Sequence, residues 1–246
     1  MSNAKLLLHC GAEQTTREDV WNVTTPEPTR THYPLPHRDL VGEVEDMLTG
    51  AGFEIGDQRH ALSHEGARYF GTFAVSLPDA PSKDYSWVVG LRNSHDKSLP
   101  AGLVAGTRVF VCDNLAFTGE IKISRKHTRF AARDLSHMTA RAVGQLGERF
   151  HRLDRQIEAY QEAEINDRTA HDVIIRAIDC RAVNPTAVKG VLKEWRQPSH
   201  EDFEPRTAWS LFNAFTERMK GGNPNTTLRR TQALHGLFDG VVGLAN

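Results

Sequence analysis

The sequence predicts an α+β protein, in which an antiparallel β-meander of four to five strands packs against a long amphipathic helix and a C-terminal group of shorter helices follows. Three observations carry that expectation. Between Phe53 and Ser124, apolar residues alternate with polar or small ones in runs separated by turn residues, the period of strands with one buried face. From Arg133 to Ile165, apolar residues recur at spacings of three and four without a break, the period of a helix with one buried face. No strand–helix–strand alternation occurs, which argues against a parallel dinucleotide-type sheet.

Residues 1–35 contain Pro26, Pro28 and Pro34 and several threonines with no sustained period, and are expected to form a mostly irregular arm. Residues 36–166 are the expected α+β core. Leu40, Val44, Met47 and Leu48 fall at helical spacing from Arg38 to Ala51, and Gly50 and Gly52 mark the stop. Phe53 to Leu77 reads as two strands around a turn at His64-Glu65-Gly66, with Tyr69, Phe73, Val75 and Leu77 on one parity of the second. Tyr85, Trp87, Val89 and Leu91 alternate along the next strand. The chain turns through Lys97 to Gly102, returns antiparallel from Leu103 to Cys112, and ends the sheet with a short strand from Glu120 to Ser124. In the long helix, Leu135, Met138, Ala142, Leu146, Phe150, Leu153, Ile157 and Tyr160 form one stripe over about 45 Å. Gly144 and Gly147 weaken its middle.

Residues 167–246 are expected to form three or four shorter helices packed on the core. Thr169 can cap the first, Asn184-Pro185 the second, Pro205 opens a third, and Leu228, Leu234, Leu237, Phe238 and Val241 suggest a last one.

Hydrophobic residues make up 39% and charged residues 25% of the 246, which points to one compact globular unit. No apolar run approaches the roughly 18 residues of a membrane span, and the first residues lack a signal pattern, so a cytoplasmic location is expected. Cys10, Cys112 and Cys180 are too few and too far apart for a disulfide framework or a structural zinc site. Gly102 and Gly106 form neither a P-loop nor a dinucleotide fingerprint, and no cofactor is expected.

The net charge of −1 hides an asymmetry. Residues 1–120 carry 10 basic and 16 acidic side chains, and the remainder 20 and 15. Within residues 121–155 nine Lys or Arg face three acids, an excess that creates a positive local field. Ser124-Arg125-Lys126-His127-Thr128-Arg129-Phe130 joins the sheet edge to the long helix. At about 100° per residue, Arg133, His137, Arg141, Arg152 and Arg155 continue the charge along the side opposite the apolar stripe. Cations there would neutralise phosphates, and an exposed Phe130 would stack on a base. The plainer alternative is a solvated face with Phe130 in the core.

A second set of polar residues closes two strands: Asn93, Ser94, His95 and Asp96 after one, Cys112 and Asn114 after the other. A hydrolase would use Cys112 as nucleophile, His95 as base and Asp96 or Asn114 as orienting group. Alternatively His95 and Asp96 would hold a metal with His60, His64 or Asp113, although no helix with paired histidines or carboxylate cluster supports a metal site. The favoured reading is a hydrogen-bonded turn, because Asn, Ser and Asp side chains readily bond nearby backbone.

The pairing of Arg92-Asn93-Ser94-His95-Asp96 with Arg108-Val109-Phe110-Val111-Cys112-Asp113-Asn114 resembles the motif pair of a phage- and plasmid-borne bacterial family known only as domain of unknown function nine hundred and thirty-two. The likeness extends over Arg206–Glu217 and Arg230–His235, hence from about Arg38 to the end. It implies a mobile-element context and no defined activity. The order helix, meander, long helix is also similar to that of the phage single-strand annealing recombinases of the RecT and lambda Beta type. That similarity implies a non-catalytic oligomer holding one strand by its backbone in a positive groove.

The expected function is therefore binding of single-stranded DNA or RNA, with strand annealing by a homo-oligomer as its extended form. Arg125, Lys126, Arg129, Arg133, Arg141 and Arg152 would contact phosphates and Phe130 a base. The roles of Asn93, Ser94, His95, Asp96, Cys112 and Asn114 are left open between structure, ligand binding and catalysis. A host-interaction module built on the arm and the helical tail is the remaining alternative.

Overall fold

The structure is a computed structural model that describes residues 12–78, 85–109, 115–220 and 224–244, with backbone alone at 108–109, 115–122 and 224–225. Six antiparallel strands follow one another in space as in sequence: β1 (Glu13–Thr15), β2 (Glu54–Ser63), β3 (Arg68–Ser76), β4 (Tyr85–Ser94), β5 (Ala101–Val109) and β6 (Leu115–Arg125). Helices α1 (Arg17–Asn22) and α2 (His37–Gly50) lie between β1 and β2, while β2 to β6 follow directly on one another. With every pair antiparallel, no crossover helix is required. The fold class is the one the alternating and helical periods predict.

The edge strand β1 comes from the arm, which also carries the helix α1 (Arg17–Asn22). Thr16 explains why a helix starts there. Its side chain caps the Asp19 N–H at 3.1 Å, and the Asp19 carboxylate accepts from the Thr16 N–H at 2.9 Å, a reciprocal capping box. These two short elements are too brief for a periodic signal, so the sequence shows them only as irregular chain.

Helix α2 (His37–Gly50) lays Leu40, Val41, Val44 and Leu48 on the sheet and stops at Gly52, where φ is +86°. The β2–β3 turn uses left-handed backbone at His64, Glu65 and Gly66. Helix α3 (Ala131–Glu162) runs 32 residues, about 48 Å, through Gly144 and Gly147 without interruption. Its stripe from Leu135 to Tyr160 is buried, except that Met138 is 39% exposed at the stripe's edge and Thr139 is buried instead. The Phe150 and Trp87 rings stack at 4.8 Å, and buried Asp154 accepts from Tyr85 Oη at 2.7 Å and Trp87 Nε1 at 2.8 Å. The long helix is thus fastened to β4 by both apolar packing and satisfied polar groups.

Helices α4 (Asp167–Asp179), α5 (Val188–Arg196), α6 (Ala208–Met219) and α7 (Pro224–Val241) complete the chain. Two starts lie a little away from the expected positions. Asn166 caps α4 by accepting from the Thr169 N–H at 2.9 Å, because a cap bonds three residues ahead. Thr207, not Pro205, caps α6, through the Ser210 N–H at 3.2 Å. Residues from the sheet, α2, α3 and all four C-terminal helices share one apolar core. Among the described residues no helix is long and apolar enough to cross a membrane.

Candidate nucleic-acid interface

The polar residues at the end of β4 are almost fully buried: Asn93 and Ser94 at 0% exposure and His95 at 7%. A buried amide must satisfy both its donors and its acceptor. Asn93 does so with three residues from two stretches of chain. Its Nδ2 donates to Leu35 O at 2.7 Å and to His37 Nδ1 at 2.9 Å, and its Oδ1 accepts from His127 Nε2 at 2.7 Å.

Four histidines surround that amide. His37 Nε2 donates to Gly66 O at 2.9 Å, His95 Nε2 to Leu35 O at 3.0 Å, and His32 Nε2 to His95 O at 3.1 Å. Because a carbonyl only accepts, each of these rings carries its proton on Nε2. The His37 and His95 rings stack at 3.9 Å with 3° between their planes, and His32 meets His127 edge-on at 5.3 Å. Burial and the neighbouring His95 push His37 down to about 4, and burial with His32 and His95 does the same for His127. Burial also lowers His95. His37, His95 and His127 are therefore neutral near pH 7.

Ser94 and Asp96 build the turn that follows. Ser94 Oγ donates to Leu99 O at 2.8 Å and accepts from the Leu99 N–H at 3.0 Å. Asp96 accepts from Ser98 N–H at 3.0 Å and from Arg68 Nε at 2.6 Å. Burial would raise its carboxyl, but hydrogen bonds from the Ser98 hydroxyl, the Ser98 N–H and Arg68 outweigh burial and hold it at about 2. His60, considered above as a metal ligand, bonds Tyr69 Oη at 2.9 Å through Nδ1. Among the described residues no group of three or more His, Cys, Asp or Glu is arranged to hold a metal ion. Cys112, Asp113 and Asn114 lie outside the described residues. The register sets Val109 opposite Tyr85 and Gly102 opposite Arg92, so the described end of β5 that leads toward Cys112 is the end remote from His95.

The basic corner is the second half of the site. His127 does not add to its charge: it is 5% exposed and faces Asn93, while its carbonyl accepts from the Tyr33 N–H at 2.9 Å. On either side of this anchor, Arg125, Lys126, Arg129, Phe130 and Arg133 are exposed. Phe130 is 53% exposed, with the Arg133 guanidinium 4.8 Å and that of Arg129 5.9 Å from its ring centre. Asp134 pairs with Arg125 at 2.5 Å and with Arg133 at 3.1 Å, and hydrogen bonds from both hold its carboxyl low. Among the described residues no carboxylate pairs with Lys126, Arg129 or Arg141.

The corner thus gathers five of the seven predicted contact residues. Arg141 lies about 12 Å further along α3, and Arg152 about 28 Å. Arg152 borders a groove of about 650 Å³ shared with Glu148, Asp154 and Glu158, where charge is mixed. The residues that sequence reasoning missed are Leu35 at the end of the arm and His37 at the start of α2, which bond Asn93, and His32, which bonds the His95 carbonyl. Twelve histidines in a chain without a metal pattern were the available signal.

No curated protein and no solved structure matches the chain. A family model described as "Domain of unknown function (DUF932)" matches residues 29–237, from just before His32 through α6 and most of α7. With most of its length matched, including the whole polar cluster and the basic corner, the chain belongs to the DUF932 family.

Proposed function

We propose that this protein binds single-stranded nucleic acid, DNA or RNA, without catalysis, through the corner between β6 and α3. The observation that carries this reading is Phe130. A phenyl ring left half in solvent between two guanidinium groups forfeits burial, and such a ring is a ready platform for a base. Lys126, Arg129 and Arg141, exposed and without carboxylate partners among the described residues, supply phosphate contacts on either side. The buried Asn93 amide beneath, bonded to His127, holds the corner in place. The order of elements, similar to that of the single-strand annealing recombinases, favours strand annealing by an oligomer as the physiological form.

Anisotropy of a labelled oligothymidylate titrated at several salt concentrations tests the proposal. Binding is expected to weaken steeply with salt, and Arg129→Glu with Phe130→Ala is expected to abolish it at unchanged helix content. Salt-independent or absent binding by the native chain overturns the reading. Gel filtration with and without the oligonucleotide reads the oligomer.

A further inference from the structure

A groove of about 950 Å³ runs between the residues from Pro185 into α5 and the last turn of α6, far along the chain from the corner. Four cations border it, Lys189, Lys193 and Arg196 from α5 and Arg218 from α6, and no carboxylate lines it. Among the described residues none of the four forms an ion pair with an acid. Arg196 instead lies 3.4 Å from His171 Nε2.

The stripe is unfavourable in isolation. Lys189 and Lys193 stand four residues apart on one helix face, where like charges repel. Arg218 adds to this by approaching α5 closely. A Cβ on Gly190 would lie 2.5 Å from Arg218 Nε and 2.9 Å from its Cζ, so glycine makes room for the guanidinium against the helix. The buried residues of the two helices, among them Val191, Trp195, Phe215 and Met219, are uncharged. The groove is also open along its length rather than closed over a small molecule, and Val188 and Leu192 give it an apolar floor.

We infer that the α5–α6 groove is a second phosphodiester-binding track, which takes the continuation of a single strand held at the corner. The inference rests on the nucleic-acid reading above but uses separate residues. Charge chooses the occupant: a chain of regularly spaced monoanions on apolar sugars matches a line of cations on an apolar floor.

The test compares labelled oligothymidylates of about 10 and about 40 nucleotides. The variants are Lys189→Gln with Lys193→Gln and Arg218→Gln, and separately Arg129→Glu with Phe130→Ala. The exposed Gln substitutions are checked for unchanged circular dichroism. Native protein is expected to bind the long probe at least about tenfold more tightly than length statistics allow, with a steeper salt slope. The Gln triple variant is expected to lose that gain, lowering the slope by about two, while keeping short-probe affinity. Equal behaviour of native and triple variant on both probes overturns the second track and leaves the corner standing. Loss of binding only in the triple variant overturns the corner and leaves the groove. Competition by poly-glutamate as effective as by unlabelled oligothymidylate also overturns the inference, because the groove then prefers an acidic polypeptide.

Discussion

His127 Nε2 donates a 2.7 Å hydrogen bond to Asn93 Oδ1, joining the residue at the centre of the family-like motif to the strand–helix corner that carries the exposed cations. The two residues are 34 apart in sequence. Through this bond a fully buried amide of the motif is tied to the corner. The same amide holds Leu35 and His37, so the arm, the sheet end and the start of α3 share one junction.

Asn93→Leu removes that junction while keeping the side-chain volume. His127 Nε2 and His37 Nδ1 lose their partner, and Leu35 O keeps only His95. Each orphaned buried group costs about 1–3 kcal/mol, so urea unfolding is expected to show a loss of about 3 kcal/mol or more. A loss below about 1 kcal/mol would mean that water replaces the amide.

Stability is expected to fall as pH drops from about 6.5 toward 4. His37 and His127 have folded-state values near 4, against an ordinary value of 6.5, so the unfolded chain binds more protons throughout that window. The stabilisation is fully present above the unfolded value and is lost as pH falls through the folded one. His37 shows why in atomic terms. Its Nε2–H is given to Gly66 O and its Nδ1 already receives the Asn93 amide, so a second proton meets a donor. Denaturant midpoints at pH 7.5, 5.5 and 4.5 (approximate values spanning the window) read the slope, about 1.4 kcal/mol per pH unit for each fully responding ring. Asn93→Asp is expected to oppose the trend, since a carboxylate beside His37 Nδ1 favours the imidazolium.

The fold was largely legible because its periods are long. Ten residues of alternation at Tyr85–Ser94 and thirty-two of helical spacing at Ala131–Glu162 leave few alternatives. β1 and α1 were not, because three and six residues carry no period. The site was legible in half. Arg125, Lys126, Arg129, Phe130 and Arg133 are neighbours in sequence, and a turn keeps them neighbours in space. The histidine cluster joins residues 32, 37, 95 and 127, whose proximity is set only by how the arm, α2 and the β6–α3 corner pack on the end of β4. His127 shows the difference sharply: its basic neighbours suggest a cation, whereas the Asn93 amide makes it a buried neutral donor.

Gly102 is expected to be intolerant of alanine. It pairs with Ser124 in the register of β5 and β6, and a Cβ there would sit 2.5 Å from the Ile123 carbonyl oxygen. Backbone cannot swing aside as a long side chain can, so the two strands must part just where β6 enters the corner. Gly102→Ala is expected to cost about 1–3 kcal/mol in urea unfolding and to speed amide exchange at Ile123 and Arg125. Gly144, around whose Cβ position the space is open, is the control: its alanine variant is expected to be neutral or slightly stabilising.

Asp134 is the corner's internal brake. It pairs with Arg125 and Arg133, the two cations on either side of the Arg129–Phe130 segment, and so withholds part of their charge from any phosphate. Its surroundings are solvent-exposed on the arginine side, which keeps both pairs weak and exchangeable. Asp134→Asn keeps the shape and releases both guanidinium groups. If the corner holds a single strand, this variant is expected to bind oligothymidylate several-fold more tightly than the native chain at low salt. The salt slope is expected to steepen by about one, from two contacts at about 0.7 each. The gain is expected to vanish in combination with Arg129→Glu and Phe130→Ala, because charge without a platform gives only diffuse attraction. Tighter binding that persists in the combined variant would place the strand elsewhere on the protein. Unchanged affinity in the single variant would show that the released Arg125 and Arg133 reach no phosphate, leaving Lys126, Arg129 and Arg141 to carry the phosphates alone.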